Sequence, residues 1–194
     1  AGRTIRGGGP PAIVTFGFCS DVNGMPKAVK IETGRLMLRT VTMDDVEAVA
    51  LTWKLNGHPI SFEEAGKEIR WMLDNHERNE TGGFTHLCLA IMHKGDNAFI
   101  GWCGLDHRDH DRPNPVLFYL LKGAYWGKGL GTEAAKAVLR HAFCTLGLAQ
   151  VDGGASAENV ASKRVMGKAG MRYLGREGDG GYSFTLSKQE YSDG

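Results

Sequence analysis

The stretch Trp126-Gly127-Lys128-Gly129-Leu130-Gly131-Thr132-Glu133 links an apolar run, Val116 to Leu121, to an amphipathic helix predicted from about Leu130 to Leu146. Backbone N–H groups at a helix N-terminus attract anions, and glycines let the chain bend closely around a ligand. The stretch therefore predicts a phosphate site, with a diphosphate as its expected occupant. Glycine-rich turns from strand to helix also occur where they only pack a helix onto a sheet, so the turn alone leaves both interpretations open.

Two other phosphate motifs partly match the same turn. Gly123-x-x-x-Gly127-Lys128 is one residue short of a P-loop and lacks the Ser or Thr that would hold magnesium. Gly129-x-Gly131-x-x-Ala134 matches a dinucleotide fingerprint, with Asp152 near the expected position of the ribose carboxylate. Too few strands follow this fingerprint to build a doubly wound half, and several residues separate it from its strand. A dinucleotide-binding oxidoreductase stays as an alternative to be tested.

The composition is that of one globular domain. The 194 residues are 42% hydrophobic and 23% charged, with a formal net charge of +1. A chain of this length can bury one core without disulfides or metals, and its near-neutral charge does not favour nucleic-acid binding. No apolar run reaches the roughly 20 residues that cross a bilayer, so no membrane association is expected. The cysteines form no CxxC pair and indicate free thiols in the cytoplasm and no metal site: Cys19, Cys88, Cys103 and Cys144.

The chain divides into a flexible extension rich in glycine and proline, residues 1–28, and one domain, residues 29–194. Apolar residues alternate from Arg35 to Val41, which predicts a strand, and capping signals at Thr42 and Ser61 open two helices. The fold class that follows is α/β (α+β), a mixed sheet with helices. The predicted elements are a helix 42–55, a second helix from 61, strands 84–92, 98–105 and 116–121, a helix 130–146, a strand 149–153, a helix from 159, and a hairpin of 172–175 and 182–186.

The glycine turn resembles the acetyl-CoA pyrophosphate loop of the GNAT superfamily of N-acetyltransferases, Q/R-x-x-G-x-G/A. Trp126 stands at the first position, as in the Tyr-Trp-Gly-Lys-Gly form of the RimJ/RimL-like branch. Asn159 to Met171 is similar to that branch's N-x-x-S-x-R-V-hydrophobic-x-K-x-G-F segment, and Thr33 to Arg39 resembles its first strand. The matches span about residues 31 to 190 in the family's order. The resemblance implies a mostly antiparallel central sheet with helices on both faces, splayed open at the cofactor site.

The resemblance also implies acetyl-CoA as the co-substrate, with its pantetheine arm in the splayed sheet. The N–H groups of Tyr119 and Leu121 would meet the thioester carbonyl and the pantetheine, so that Tyr119 would stabilise the oxyanion of a tetrahedral intermediate. Asn159 would contact the arm, although a role as helix N-cap explains this residue equally well. The residues assigned to the cofactor are Tyr119, Leu120, Leu121, Trp126, Gly127, Lys128, Gly129, Leu130, Gly131, Thr132, Asn159 and Ser162.

The catalytic groups depart from the family pattern. Ser162 is the candidate acid that protonates the departing thiolate, while the slot where many relatives place a tyrosine acid holds Met166. Some members carry a glutamate base before the glycine loop, where this chain has Pro115-Val116. Our hypothesis is that Asp106 or His107, at the end of the preceding strand, accepts the proton of the amine. The other interpretation of these two residues is a solvated, charged loop.

The function that the resemblance implies is direct acetyl transfer from acetyl-CoA to a primary amine by a monomer or homodimer. The branch suggests a protein N-terminal amine as the acceptor, bound by residues 42–80 and 106–115. A non-catalytic acyl-CoA-binding module is the alternative raised by the missing glutamate and tyrosine. Fold is a poor guide to the choice of acceptor.

Overall fold

The computed structural model describes residues 28–52, 54–55, 58–79, 84–108, 112–178 and 180–191. The predicted flexible extension, residues 1–28, lies outside these ranges except for its last residue. The centre of the polar loop, residues 109–111, also lies outside them. The predicted start of the domain at residue 29 therefore stays a prediction.

The strands of the described fold are β1 Lys30–Glu32, β2 Leu36–Thr40, β3 Lys54–Leu55, β4 His58–Pro59, β5 His86–His93, β6 Ala98–Asp106, β7 Val116–Leu121, β8 Gln150–Ala155, β9 Arg172–Arg176 and β10 Tyr182–Ser187. Eight of them form one sheet in the order β1-β2-β5-β6-β7-β8-β10-β9, and β3 pairs with β4. Neighbours in the large sheet are antiparallel except β7 and β8, which are parallel. The predicted mixed, mostly antiparallel sheet is confirmed, and β1 is a strand that the sequence analysis missed.

The α-helices in the described ranges are α1 Val46–Thr52, α2 Phe62–Arg78, α3 Leu130–Arg140 and α4 Val160–Lys168. The predicted helix over 42–55 is confirmed at its start, where Thr42 is the N-cap and forms the expected capping box with Asp45, but the prediction was wrong at its end. It begins as a 3₁₀ turn, Met43–Asp45, and it ends at Thr52 because β3 and β4 pair directly afterwards. The predicted helix 130–146 is confirmed in extent, but its last turn, His141–Thr145, is π-helical.

Helices cover both faces of the sheet, as predicted. One apolar core joins α3 and α4 to one face, and a second core joins α1 and α2 to the other. Neighbouring residues of a strand point to opposite faces. Leu117 and Tyr119 of β7 therefore pack toward α3 and α4, whereas Phe118 packs toward α1 and α2.

Candidate functional site

The sheet opens between its two parallel strands. β7 and β8 are paired only at Val116 with Asp152 and at Leu117 with Gly153. Both strands continue beyond these pairs, β7 to Leu121 and β8 to Ala155. A gap therefore separates their C-terminal ends, in agreement with the splayed sheet expected from the resemblance.

Two main-chain N–H groups of β7 point into this gap. Lys122 N donates to Ile100 O of the β6 side at 2.8 Å. Alternate residues of an antiparallel pair direct their N–H groups to the partner strand, so Leu120 bonds toward β6 while Tyr119 and Leu121 face the opening. The indole Nε1 of Trp126 donates to the Leu121 carbonyl at 2.7 Å. This bond occupies the carbonyl oxygen and not an N–H group, so the N–H groups of Tyr119 and Leu121 are left for a ligand. Leu120, which the resemblance assigned to the cofactor, does not direct its main chain to the gap.

The glycine turn presents free amides beside the same gap. Gly127 and Gly129 have φ values of 73° and 77°, in the left-handed region where a side chain is strained. Gly129 is the N-cap of α3 and has no side chain to cap the helix. The first helical bond of the turn runs from Glu133 N to Gly129 O at 3.1 Å. The preceding N–H groups of α3 are therefore available to an anion, and they belong to Leu130, Gly131 and Thr132.

The segment just before the turn is held by the β5–β6 hairpin. The Tyr125 hydroxyl donates to Asp96 Oδ2 at 2.6 Å, and His93 Nδ1 lies 2.8 Å from Asp96 Oδ1. The hydrogen bonds from Tyr125 and His93 lower the pKa of Asp96 to about 2. Asp96 therefore stays ionised at every physiological pH. Trp126, which follows, leaves 70% of its surface exposed beside the turn.

The start of α4 reaches β7 across the gap. Asn159 Oδ1 accepts from Ser162 N at 3.0 Å, so Asn159 caps α4, one of its two predicted roles. The Tyr119 hydroxyl donates to Ser162 O at 3.2 Å. Burial raises the pKa of Tyr119, which the hydrogen bond to Ser162 opposes only in part, so the phenol keeps its proton at neutral pH. The sequence predicted a role only for the main chain of Tyr119 and not for its phenol, although alternation along β7 places the phenol on the α4 side.

Asp106 is unsuited to the base role that the sequence suggested. It is the last residue of β6, and its carboxylate binds Arg108 Nε at 2.8 Å and Nη2 at 2.6 Å. Burial alone would raise the pKa of Asp106, but hydrogen bonds from His86 and Arg108 outweigh it and hold the pKa well below its ordinary value. A carboxylate in this state is a weak proton acceptor.

His107 is also occupied. Its Nδ1 lies 3.3 Å from Phe84 O and its Nε2 lies 2.9 Å from Arg112 O. Carbonyl oxygens only accept hydrogen bonds, so both ring nitrogens face main-chain acceptors and neither is directed at an incoming amine. The geometry therefore favours the charged-loop interpretation of Asp106 and His107 over the proton-acceptor hypothesis.

His86 is a polar neighbour that the sequence analysis missed. It lies opposite Asp106 in the β5–β6 register, is 3% exposed, and places Nδ1 3.3 Å from Asp106 Oδ1. Its ring stacks on Phe118 with centroids 5.7 Å apart. A histidine in an apolar, alternating strand gave no signal that it would be paired with the carboxylate of the next strand.

Within the described ranges, no three side chains of the ligand type are grouped closely enough to bind a metal ion. None of the helices described there combines the length and apolarity that a membrane span needs.

The fold and the site together define a class. A mixed sheet that opens between parallel strands beside a glycine turn has the architecture expected of acyl-CoA N-acyltransferase domains. Residues 35–172 match the family model described as acetyltransferase (GNAT) domain. The chain belongs to this family.

Individual relatives agree with the family match. A curated relative, FsC-acetyl coenzyme A-N(2)-transacetylase of Aspergillus fumigatus, is 29% identical over 126 residues, which are 61% of this chain and 51% of the relative. The chain thus spans about half the length of that relative. A putative ribosomal-protein-serine acetyltransferase from Vibrio cholerae superposes with a TM-score of 0.65 at 21% identity, over 84% of this chain and 99% of that chain. The microcin C7 self immunity acetyltransferase MccE, solved with acetyl-CoA and AMP, gives 0.63 at 15% identity, over 80% and 93%. Both structural matches establish the fold.

Proposed function

We propose that this protein is an acetyl-CoA-dependent N-acetyltransferase that acetylates a primary amine by direct attack. The observation that carries the proposal is the juxtaposition of two sets of amides. The N–H groups at the start of α3 flank the glycine turn, and those of Tyr119 and Leu121 face the adjoining gap. The first set suits a diphosphate and the second suits an extended thioester arm.

In this proposal the diphosphate of CoA lies on the glycine turn and its pantetheine arm lies between β7 and β8. The N–H of Leu121 binds the arm, and the N–H of Tyr119 binds the thioester carbonyl. Asn159 and Ser162 border the arm from α4. The diphosphate is held mainly by the main chain of Gly127, Lys128, Gly129, Leu130, Gly131 and Thr132, beside Trp126.

The reaction follows from these positions. The lone pair of a neutral amine attacks the thioester carbonyl, and the negative charge on oxygen is stabilised by Tyr119 N–H. The intermediate then expels the CoA thiolate, the C–N bond remains, and the nitrogen loses its proton. Either the Ser162 hydroxyl or the Tyr119 phenol gives the thiolate its proton. Because Asp106 and His107 are both engaged, the proton of the incoming ammonium leaves to solvent before attack.

The identity of the amine acceptor is a separate question from the type of reaction. The RimJ/RimL-like form of the glycine turn and of the α4 segment supports a protein N-terminal amine, and we propose such amines together with small amines as the acceptors to be screened. The scattered cysteines support action in the cytoplasm. We propose a monomer or homodimer as the acting species.

The test compares ligands and then measures turnover. Acetyl-CoA should raise the melting temperature and NAD(H) should not, because only ligands that bind the native state stabilise it. CoA release should follow when a panel of small amines and N-terminal peptides is added. Stabilisation by acetyl-CoA without CoA release from any amine would make the protein a binding module, and stabilisation by NAD(H) alone would make it a dinucleotide-binding protein. Either result overturns the proposal.

A further inference from the structure

A row of residues crosses the open half of the sheet on the face of α1 and α2. The register pairs are His86 with Asp106, Asp106 with Val116, Val116 with Asp152, and Asp152 with Thr185. Residues paired in this way share one face of a sheet. The row therefore leads from the paired Asp106 to a second carboxylate, Asp152, on the far side of β7.

The two helices on this face do not cover the second half of the row. Their core includes Ala90 of β5 and Trp102 of β6, and Phe118 of β7 packs against it. Beyond Phe118 the face carries a cavity of about 500 Å³, and Asp152 and Gly154 are among the residues that line it. The charged side chains that line it are Arg112, Asp152 and Glu177, two carboxylates against one guanidinium. The cavity begins beside Val116, where β7 and β8 part.

The Asp152 carboxylate is held rigidly and keeps one acceptor site. Its Oδ1 accepts from Gln150 Nε2 at 3.0 Å and from Thr185 Oγ1 at 2.7 Å, and its Oδ2 accepts from Asn114 Nδ2 at 3.0 Å. All three donors are neutral, so they orient the carboxylate without cancelling its charge. A carboxylate offers about four lone-pair sites, and the site left on Oδ2 suits an ammonium.

The distance between Asp152 and the proposed thioester position determines how far apart the two amines of an acceptor must be. Val116, its partner on β7, precedes Tyr119 by three residues, which is about 10 Å along the strand at the usual rise. A cation hydrogen-bonded to Asp152 would lie roughly 3 Å from the carboxylate, on the side of the thioester. An amine attacking beside Tyr119 would thus lie about 7 Å from that cation, a separation that a short diamine can span.

We propose that Asp152 selects acceptors that carry a second positive charge, by binding the ammonium that does not react. This inference rests on the proposed acetyl transfer, since that transfer fixes where the reacting amine lies. One nitrogen of the acceptor attacks as the neutral amine, and the other stays protonated on Oδ2 of Asp152. Glu177, on the same cavity wall, adds negative potential that attracts the cation.

The test uses two probes that differ only in the second amine, 1,4-diaminobutane and n-butylamine. A charge-assisted hydrogen bond to a carboxylate predicts that the wild-type protein favours the diamine in kcat/KM by roughly ten- to a hundredfold. Asp152→Asn should remove this preference by raising KM for the diamine, while n-butylamine changes less than about threefold. The isosteric amide keeps its partners, because Asn114 can turn its own oxygen toward it. Asp74→Asn, at an exposed site on α2, is the matched control and should behave as wild type.

Calorimetric titration with 1,4-diaminobutane separates this inference from the proposed function. Diamine binding that is lost in Asp152→Asn supports the inference even if no acetyl transfer occurs, and that result would count against the proposed function alone. Equal loss of both amines in Asp152→Asn, or a wild-type protein that neither binds nor prefers the diamine, overturns the inference.

Discussion

Arg35 and Glu133 hold the glycine turn from both of its ends. Arg35 Nη2 lies 2.7 Å from Glu133 Oε2, and Arg35 Nη1 donates to the Lys128 carbonyl at 2.9 Å. Glu133 Oε1 also accepts from the Thr33 hydroxyl at 2.6 Å and from Arg35 N at 2.9 Å. The turn that links β1 to β2 is thereby fastened to the turn that opens α3. Preorganised amides bind an anion without first being ordered, so this contact would support the proposed cofactor site by fixing the shape of its turn.

Arg35→Ala should weaken acetyl-CoA binding by roughly three- to tenfold, because the glycine turn loses its tether while its amides remain. Isothermal titration with acetyl-CoA measures the change. Arg172→Ala is the control, since Arg172 Nε makes a comparable exposed ion pair with Glu190 at 3.0 Å on the far strand. Equal effects of the two substitutions would mean that the tether does not organise the site.

Gly129→Ala should damage the same site through the backbone. At φ 77° an alanine costs about 1–2 kcal/mol, and an added Cβ would meet only Arg35 Nη2 at an ordinary 3.6 Å. The strain is relieved by reshaping the turn, so KM for acetyl-CoA should rise about tenfold. Gly123→Ala, in the preceding 3₁₀ turn, has open space for its Cβ and no left-handed φ, and should leave KM unchanged. A normal KM in Gly129→Ala would show that the turn's shape is not needed.

The sequence predicted those parts of the fold that depend on local pattern. Val116–Leu121 was placed to the residue, and the capping box that opens α2 has both expected bonds, Ser61 N to Glu64 Oε2 at 2.8 Å and Glu64 N to Ser61 Oγ at 3.2 Å. Both signals lie within a few residues of the structure they specify. The strand β1 escaped because three residues of mixed polarity carry no period, and only pairing with β2 makes them a strand.

The candidate site likewise contains features that the sequence predicted and contacts that it did not. The glycine turn and the Asn159 cap were visible as motifs. The contact of Asp106 with His86 depends on which side chains meet across two strands, and no local pattern predicts it. Arg108 lies only two residues from Asp106, but the charged run alone does not predict that its guanidinium turns back onto that carboxylate. Likewise, the meeting of Tyr119 with Ser162 joins residues 43 positions apart, a distance that no local pattern spans.

The pH dependence of the reaction should follow the acceptor rather than Asp106. Because the pKa of Asp106 is depressed, its carboxylate is ionised across the neutral range and contributes no limb to the profile. We expect kcat/KM to rise with pH as the free amine forms, with the same midpoint in Asp106→Asn and a rate within about tenfold of wild type. A true base would cost a hundredfold or more, and loss of the acidic limb in Asp106→Asn would restore the original hypothesis.

The stability of the fold should depend on pH through His141. Burial, and next the neighbouring His76, lower the pKa of His141 from 6.5 to about 4. Between these two pKa values His141 is protonated in the unfolded chain but neutral in the folded chain. Its contribution to the free energy of unfolding is therefore fully present above pH 6.5 and is lost as the pH falls toward 4. Urea unfolding at pH 7 and pH 5 should show a decline of about 1–2 kcal/mol from this group. His141→Gln should lose that part of the decline, and parallel declines in both proteins would contradict the assignment.

The source of the proton for the thiolate can be decided between two hydroxyls. The phenol of Tyr119 is half-buried, protonated and directed at the first turn of α4, and the Ser162 hydroxyl belongs to that same turn. Tyr119→Phe removes the phenol but leaves the main-chain N–H that we assign to the thioester carbonyl. If the phenol is the acid, kcat should fall roughly ten- to a hundredfold in Tyr119→Phe with KM for acetyl-CoA nearly unchanged, and Ser162→Ala should change little.

A second acetyl donor separates proton donation from packing. An acid that protonates the leaving thiolate matters less when the leaving group is already acidic, so an activated aryl thioester of acetate should restore most of the rate of Tyr119→Phe. A variant that had merely lost packing against Ser162 would stay slow with both acetyl donors and would also have a lower melting temperature. The reverse pattern would assign the proton to the serine. In that case Ser162→Ala would be slow with acetyl-CoA and would recover with the aryl thioester, whereas Tyr119→Phe would react at the normal rate, because only loss of the donating hydroxyl impairs protonation of the thiolate.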